Sequence, residues 1–122
     1  MNLKIIEHDF SVCKLSDAAD VAGGAFSFLS VTDEEISLVC PSKDVPQSAL
    51  LRDGGWNAFR IQGVLDFSLI GILAEISGIL AEHKIGIFAV STYNTDYIFV
   101  KHERFADALR ALAEAGHTVV SE

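Results

Sequence analysis

Few of the residues that open most functional classes are present. Two cysteines, two prolines, one methionine and one tryptophan are spread over 122 residues. Cys13 and Cys40 both lie in apolar, strand-like runs, which suits buried reduced thiols better than a disulfide scaffold. Basic residues are also scarce. Nine Lys and Arg face seventeen Asp and Glu, a formal net charge of -8. That field repels phosphate backbones and anionic lipid, so no nucleic acid and no membrane surface is expected as a partner. No apolar run approaches the roughly 18 residues that a spanning helix needs. Met1 to Phe10 lacks the apolar core of a secretory leader, and a cytoplasmic protein is the expectation.

Catalytic patterns are missing as well. His8, His83, His102 and His117 have no zinc-site spacing, so no metal is expected. No serine or cysteine stands beside an obvious base and orienting acid. The glycine pairs at 23–24 and 54–55 precede no lysine-bearing helix and are turns, not phosphate loops. Asp33-Glu34-Glu35 and Asp66 could gather a divalent cation, but a solvated turn is the simpler reading. The expectation is a protein that is not an enzyme and carries no cofactor.

What is present is apolar. Half the residues are hydrophobic and 21% are charged, which excludes wholesale disorder. A chain of this length buries about two-thirds of its unfolded surface and folds without metal or disulfide support. The mean hydropathy of +0.35 is high for so short a chain. It implies apolar surface covered by a second subunit, so a homodimer is expected.

Alternation marks strands at Leu3–Glu7 and Phe10–Leu15, with His8-Asp9 as a break. Ala25–Val31 and Ile36–Cys40 form a hairpin around Thr32-Asp33-Glu34-Glu35. Asp53-Gly54-Gly55 is the clearest boundary and divides a first half, 1–53, from a second, 54–122. In the second half a strand, Trp56–Gln62, leads through a loop containing Asp66 to a helix over Ser68–His83. Leu69, Ile72, Leu73, Ile76, Ile79 and Leu80 fall at helical spacing there. Strands at Ile85–Thr92 and Asp96–Lys101 follow, then a helix over Glu103–Ala115 ended by Gly116, then a short strand. The order βαββαβ, with two helices on one face of an antiparallel sheet, predicts an α+β, ferredoxin-like fold. RNA-recognition sheets share that order, but no aromatic-basic strand motif is present.

A weak internal repeat sets Ser27–Val39 over Phe88–Val100, with Glu35 falling on Asp96. On this register the first half is an abbreviated version of the second, its helices cut to stubs.

Gly71-Ile72-Leu73-Ala74-Glu75-Ile76 and Leu80-Ala81-Glu82-His83-Lys84-Ile85-Gly86-Ile87 resemble the first helix of the ACT domain, G-L-L-A-x-I followed by L-A-x-x-x-I-x-I. Ser91-Thr92-Tyr93-Asn94-Thr95-Asp96-Tyr97-Ile98 resembles the signature S-T-[YF]-x-[ST]-D-[FY]-[IL] of small bacterial tandem-ACT proteins related to the CASTOR arginine sensors. Val64-Leu65-Asp66-Phe67-Ser68 fits that group too. Ile70 replaces the usual proline, and Leu69 stands where the arginine sensors carry an acid. The resemblance therefore implies a regulatory module that binds a free amino acid at an ACT interface, without implying arginine. Carried over, its ligand contacts are Asp66, Gly71, Ile72, Leu73, Thr92, Tyr93, Asn94, Thr95 and Asp96.

The chemistry of those positions is compatible. Backbone N–H groups at a helix start, around Gly71 and Ile72, favour a carboxylate. Asp96 suits an ammonium through a charge-assisted hydrogen bond. Asp66 serves either as a second acid or, like Ser68, as a helix cap. Tyr93 and Asn94 read equally as plain turn residues, and Leu69, Ile72 and Leu73 as core. The alternative function is an interaction or scaffold subunit that binds no ligand and meets a protein partner through an apolar edge.

Overall fold

The computed structural model describes residues 1–62 and 71–121; Asp66 and the expected helix start at Ser68 lie outside the described residues. The elements follow as β1 (Asn2–Leu15), β2 (Phe28–Val31), β3 (Ile36–Pro41), β4 (Leu51–Ile61), α1 (Ile72–Glu82), β5 (Ile87–Ser91), β6 (Asp96–Lys101), α2 (His102–Glu114) and β7 (Thr118–Val120). Single 3₁₀ turns stand at Ala18–Asp20 and Ser42–Asp44. Two compact units result: Met1–Glu7 with Asn57–Glu122, and His8–Trp56, which is inserted in the sequence of the first.

The larger unit carries the order β4-α1-β5-β6-α2-β7, the ferredoxin-like α+β arrangement expected. Its strands lie in the order β7-β1-β4-β6-β5. The start of β1 thus stands between the last strand and β4, parallel to β7 with Leu3 opposite Val119. Beside it, the Gln62 N–H donates to the Asn2 carbonyl at 2.8 Å. Strand alternation turns Leu3, Phe59, Ile61, Ile98 and Val100 toward one face, where Ile76 and Leu80 of α1 and Ala108 and Leu112 of α2 meet them. On each helix the buried positions recur three or four residues apart, so one stripe enters the core while Glu82 or Glu103 stays in water. Phe88 and Phe99 stack across β5 and β6 at 4.5 Å between centroids. Alternation places that pair on the face opposite the helices.

Both helices end in the same hydrogen-bond pattern. Lys84 N–H reaches Ala81 O and Ile85 N–H reaches Leu80 O after α1; Gly116 N–H reaches Ala113 O and His117 N–H reaches Leu112 O after α2. These are Schellman ends, which need a left-handed residue. Gly116 supplies it as expected, with φ 103°; after α1 Lys84 does so with φ 59°. Arg104 donates to the carbonyls of His83 and Lys84 at 3.2 and 3.3 Å, holding that lysine turn in place.

In the smaller unit β2, β3 and the end of β1 pair antiparallel around Cys13, Leu15, Leu38 and Cys40. Its order is strand, 3₁₀ turn, hairpin, 3₁₀ turn, strand. Three expectations need correction. First, His8-Asp9 does not interrupt β1. Asn2–Lys4 pair with β7 and Phe10–Leu15 with β3, so the polar pair marks a change of partner, not of backbone. Second, β4 runs through Asp53-Gly54-Gly55. A Cβ at Gly54 would lie 3.2 Å from Ser11 Oγ, and Gly55 has φ 80°, so glycine here permits close approach and a bend within the strand.

The third correction concerns the repeat. Thr32 N–H donates to Glu35 O at 3.0 Å and Thr92 N–H to Thr95 O at 2.8 Å, closing equivalent turns. Val31 pairs with Ile36, as Ser91 pairs with Asp96. Glu35 therefore corresponds to Thr95, and Ile36 to Asp96, one residue away from the register of matching letters. Because side chains alternate, a one-residue slip exchanges the two faces of a strand. The smaller hairpin has no acid at the Asp96 position.

Leu80 is fully buried in the larger core. Truncation to alanine leaves a cavity there, and Leu80→Ala is expected to lower stability by about 2–5 kcal/mol in urea denaturation.

Candidate functional site

The turn between β5 and β6 is built by its two threonines. Thr92 Oγ1 donates to the Thr95 carbonyl at 3.0 Å and accepts from the Thr95 N–H at 3.4 Å. A threonine hydroxyl closing its own turn this way is a local alternative to the ladder. Thr95 is 7% exposed, and its hydroxyl donates to the Ile61 carbonyl at 2.6 Å. That bond ties the turn to the last residue of β4. Cross-strand pairing sets Ser91 opposite Asp96, and the Ser91 hydroxyl donates to Asp96 Oδ1. Oδ1 is thereby oriented, and Asp96 remains partly exposed.

The second group of candidates sits at the start of α1. Gly71 precedes the helix with φ 90° and ψ 2°, and its carbonyl accepts the Glu75 N–H at 2.8 Å. No side-chain cap is formed there among the described residues. The N–H groups of Ile72 and Leu73, in the first helical turn, have no carbonyl four residues back within the helix. The Ile72 and Leu73 side chains pack, partly buried, against the core formed around Ile76 and Leu80. Tyr93 is 84% exposed. It lies in the turn between β5 and β6. Asp66 lies outside the described residues. The structure thus joins Thr92, Thr95 and Asp96, with Ser91, into one bonded turn. It places Gly71, Ile72 and Leu73 together on a different element.

Several polar groups were not anticipated. Arg60 on β4 donates to Gln62 Oε1 and to the Tyr97 hydroxyl, each at 3.1 Å. His117 is buried with Nε2 3.1 Å from Glu75 Oε2 and Nδ1 3.4 Å from the Met1 amino group. A cleft of about 230 Å³ between the end of α1 and α2 is lined by residues including His83, Arg104, Asp107 and Arg110. It contains none of the candidates. All three arrangements join residues distant in sequence, so no local pattern announces them. Burial pushes the Cys13 thiol up; burial, and then the neighbouring Cys13, push Cys40 up to about 12. Among the described residues, no group of three or more His, Cys, Asp or Glu could hold a metal ion.

The ACT domain family model matches residues 52–114 of this sequence. The chain belongs to the ACT domain family. A solved protein from Agobacterium tumefaciens is 34% identical, with a TM-score of 0.88, covering 99% of this chain and 92% of that one. A Vibrio cholerae protein, described as a possible transport protein of unknown function, is 22% identical with a TM-score of 0.72, covering 93% and 88%. The regulatory subunit of aspartate kinase from Thermus thermophilus is 12% identical with a TM-score of 0.68, covering 93% and 96%. A search of curated proteins found no match. Every candidate residue falls inside the ACT-matched stretch. No described helix of this ACT protein is long and apolar enough to cross a membrane.

Two outcomes follow from this chemistry. Thr95→Val removes the hydroxyl bonded to Ile61 O while keeping the shape, leaving a buried carbonyl short of a donor. Thermal denaturation should show a loss of roughly 1–3 kcal/mol, with Thr95→Ser closer to wild type. Both thiols stay protonated and buried near neutrality, so iodoacetamide at about pH 8 should label neither in the folded chain and both in urea.

Proposed function

We propose that this ACT protein is a non-catalytic regulatory module that binds a free amino acid at an ACT interface. In this reading 1–53 is an abbreviated ACT-like unit and 54–122 the ACT domain, a tandem of the CASTOR-related kind. The observation that carries the reading is the Ser91-oriented Asp96 carboxylate on a turn pinned to β4 through Thr95. That is a rigid acid at the end of a sheet, inside the family-matched stretch. Its second oxygen takes the ligand ammonium. The N–H groups after Gly71 take the carboxylate, and the left-handed glycine has no side chain of its own to obstruct that approach. Thr92, Tyr93 and Asn94 form the rim, and Asp66 is a second acid for the same ligand.

A cytoplasmic homodimer completes the proposal. Leu29 and Val31, 43% and 63% exposed on β2, offer apolar surface to a second copy. The same exposed strand favours the second reading, a scaffold subunit that meets a protein partner and binds no ligand.

A thermal-shift screen of the twenty amino acids, each at millimolar concentration, separates the two. A ligand at about 100 times its Kd should add roughly 2.7 kcal/mol, several degrees for a domain this size. Asp96→Ala should remove the shift and keep the unliganded melting profile. Unchanged affinity in that variant would sink the role of Asp96, and silence across all twenty would sink the amino-acid reading.

A further inference from the structure

The geometry points to a separate site for a small organic carboxylate at Arg60, Gln62 and Tyr97, on the helix-free face of the larger unit. Arg60 lies on β4 between Phe59 and Ile61, both of which face the helices, so alternation sends it to the other side. There Arg60 is partly buried and held by two side chains. Nε donates to Gln62 Oε1 and Nη1 to the Tyr97 hydroxyl, each at 3.1 Å, and the charge stands 5.9 Å from the Tyr97 ring centroid. Each of these described partners is neutral.

The contrast with other arginines of the same unit is direct. Arg104 and Arg110 both pair with Asp107, at 3.4 and 3.2 Å, although both are well exposed. Arg60 is more deeply placed, yet among the described residues no carboxylate balances it. An arginine carries five N–H donors in a planar fork, and the Nη2 side of this one has no described acceptor. Holding a guanidinium rigid against a tyrosine removes much of the ordering cost of binding, because the fork is set before the ligand arrives. The matching group is planar, carries a single negative charge and accepts two parallel hydrogen bonds. That is a carboxylate.

This site does not rest on the amino-acid reading. Asp96 and Tyr97 are consecutive on β6, so their side chains leave opposite faces, and a ligand at Arg60 needs no ammonium. The experiment is a titration of the full chain with succinate, followed through the Arg60 Nε–H resonance by NMR. Inorganic phosphate and a neutral amide, succinamide, are controls. Saturable movement of that resonance with succinate, but not with succinamide, is expected. Arg60→Gln should weaken succinate at least about tenfold, as loss of a bidentate charged pair requires. Tyr97→Phe keeps the ring but frees the fork and should weaken it less, whereas Asp96→Ala should leave succinate affinity unchanged. The melting temperature of each variant without ligand reports folding separately. No succinate binding, equal affinity in Arg60→Gln, or tighter binding of phosphate than succinate would overturn the assignment. A loss in Asp96→Ala equal to that in Arg60→Gln would also overturn it, by merging the two sites.

Discussion

Two helices must cover one face of the sheet in the larger unit, and the remainder of that unit follows from this burial. Leu3, Phe59, Ile61, Ile98 and Val100 present an apolar surface that α1 and α2 close with Ile76, Leu80, Ala108 and Leu112. Each fully buried aliphatic or aromatic side chain contributes about 1.5–3 kcal/mol, so no local preference competes with the set as a whole. The set also fixes strand phase. With Phe59 and Ile61 inward, Arg60 must point away. With Ile98 and Val100 inward, Tyr97 and Phe99 must do the same. The aromatic and cationic character of the helix-free face is thus a consequence of packing on the other side.

That phase also explains how the turn at Thr92–Asp96 is tied to β4. Ile61 ends β4 with its carbonyl at the sheet end, and Thr95 answers it from the neighbouring strand while closing its own turn with Thr92. The side chain of Asp96 is then aimed by Ser91 across the ladder. A carboxylate so placed differs from the acids of Thr32–Glu35. There Thr32 Oγ1 accepts the Glu34 and Glu35 N–H groups, and the acids themselves remain in solvent. Two hairpins of one design therefore differ in chemistry at several positions, among them Val31 against Ser91, Glu35 against Thr95 and Ile36 against Asp96.

The same comparison shows what pattern reading captures and where it slips. The hairpins, the β6 boundaries and the Gly116 helix end were legible because each rests on residues close together in sequence. The repeat was legible in outline but not in register. Matching serine to serine and acid to acid weighs identity, whereas the ladder is set by which residues pair and which face is buried. His8-Asp9 and Gly54-Gly55 also signalled something real in the letters. What they mark is a change of partner along β1 and a close approach to Ser11 in β4, not ends of strands.

By itself the sequence determined the order of elements, the amphipathic stripes and the chemistry available, since periods of 2 and 3.6 are properties of neighbouring residues. Its resemblance to the ACT family also placed the candidate positions on one turn and one helix start. Only the tertiary structure decided that β1 stands between β7 and β4, that Arg104 steadies the lysine turn after α1, and that Tyr97 grips Arg60. Those pairings join residues far apart in the chain. They depend on which strands become neighbours, and that is selected by burial of the whole core, not by any local run of residues.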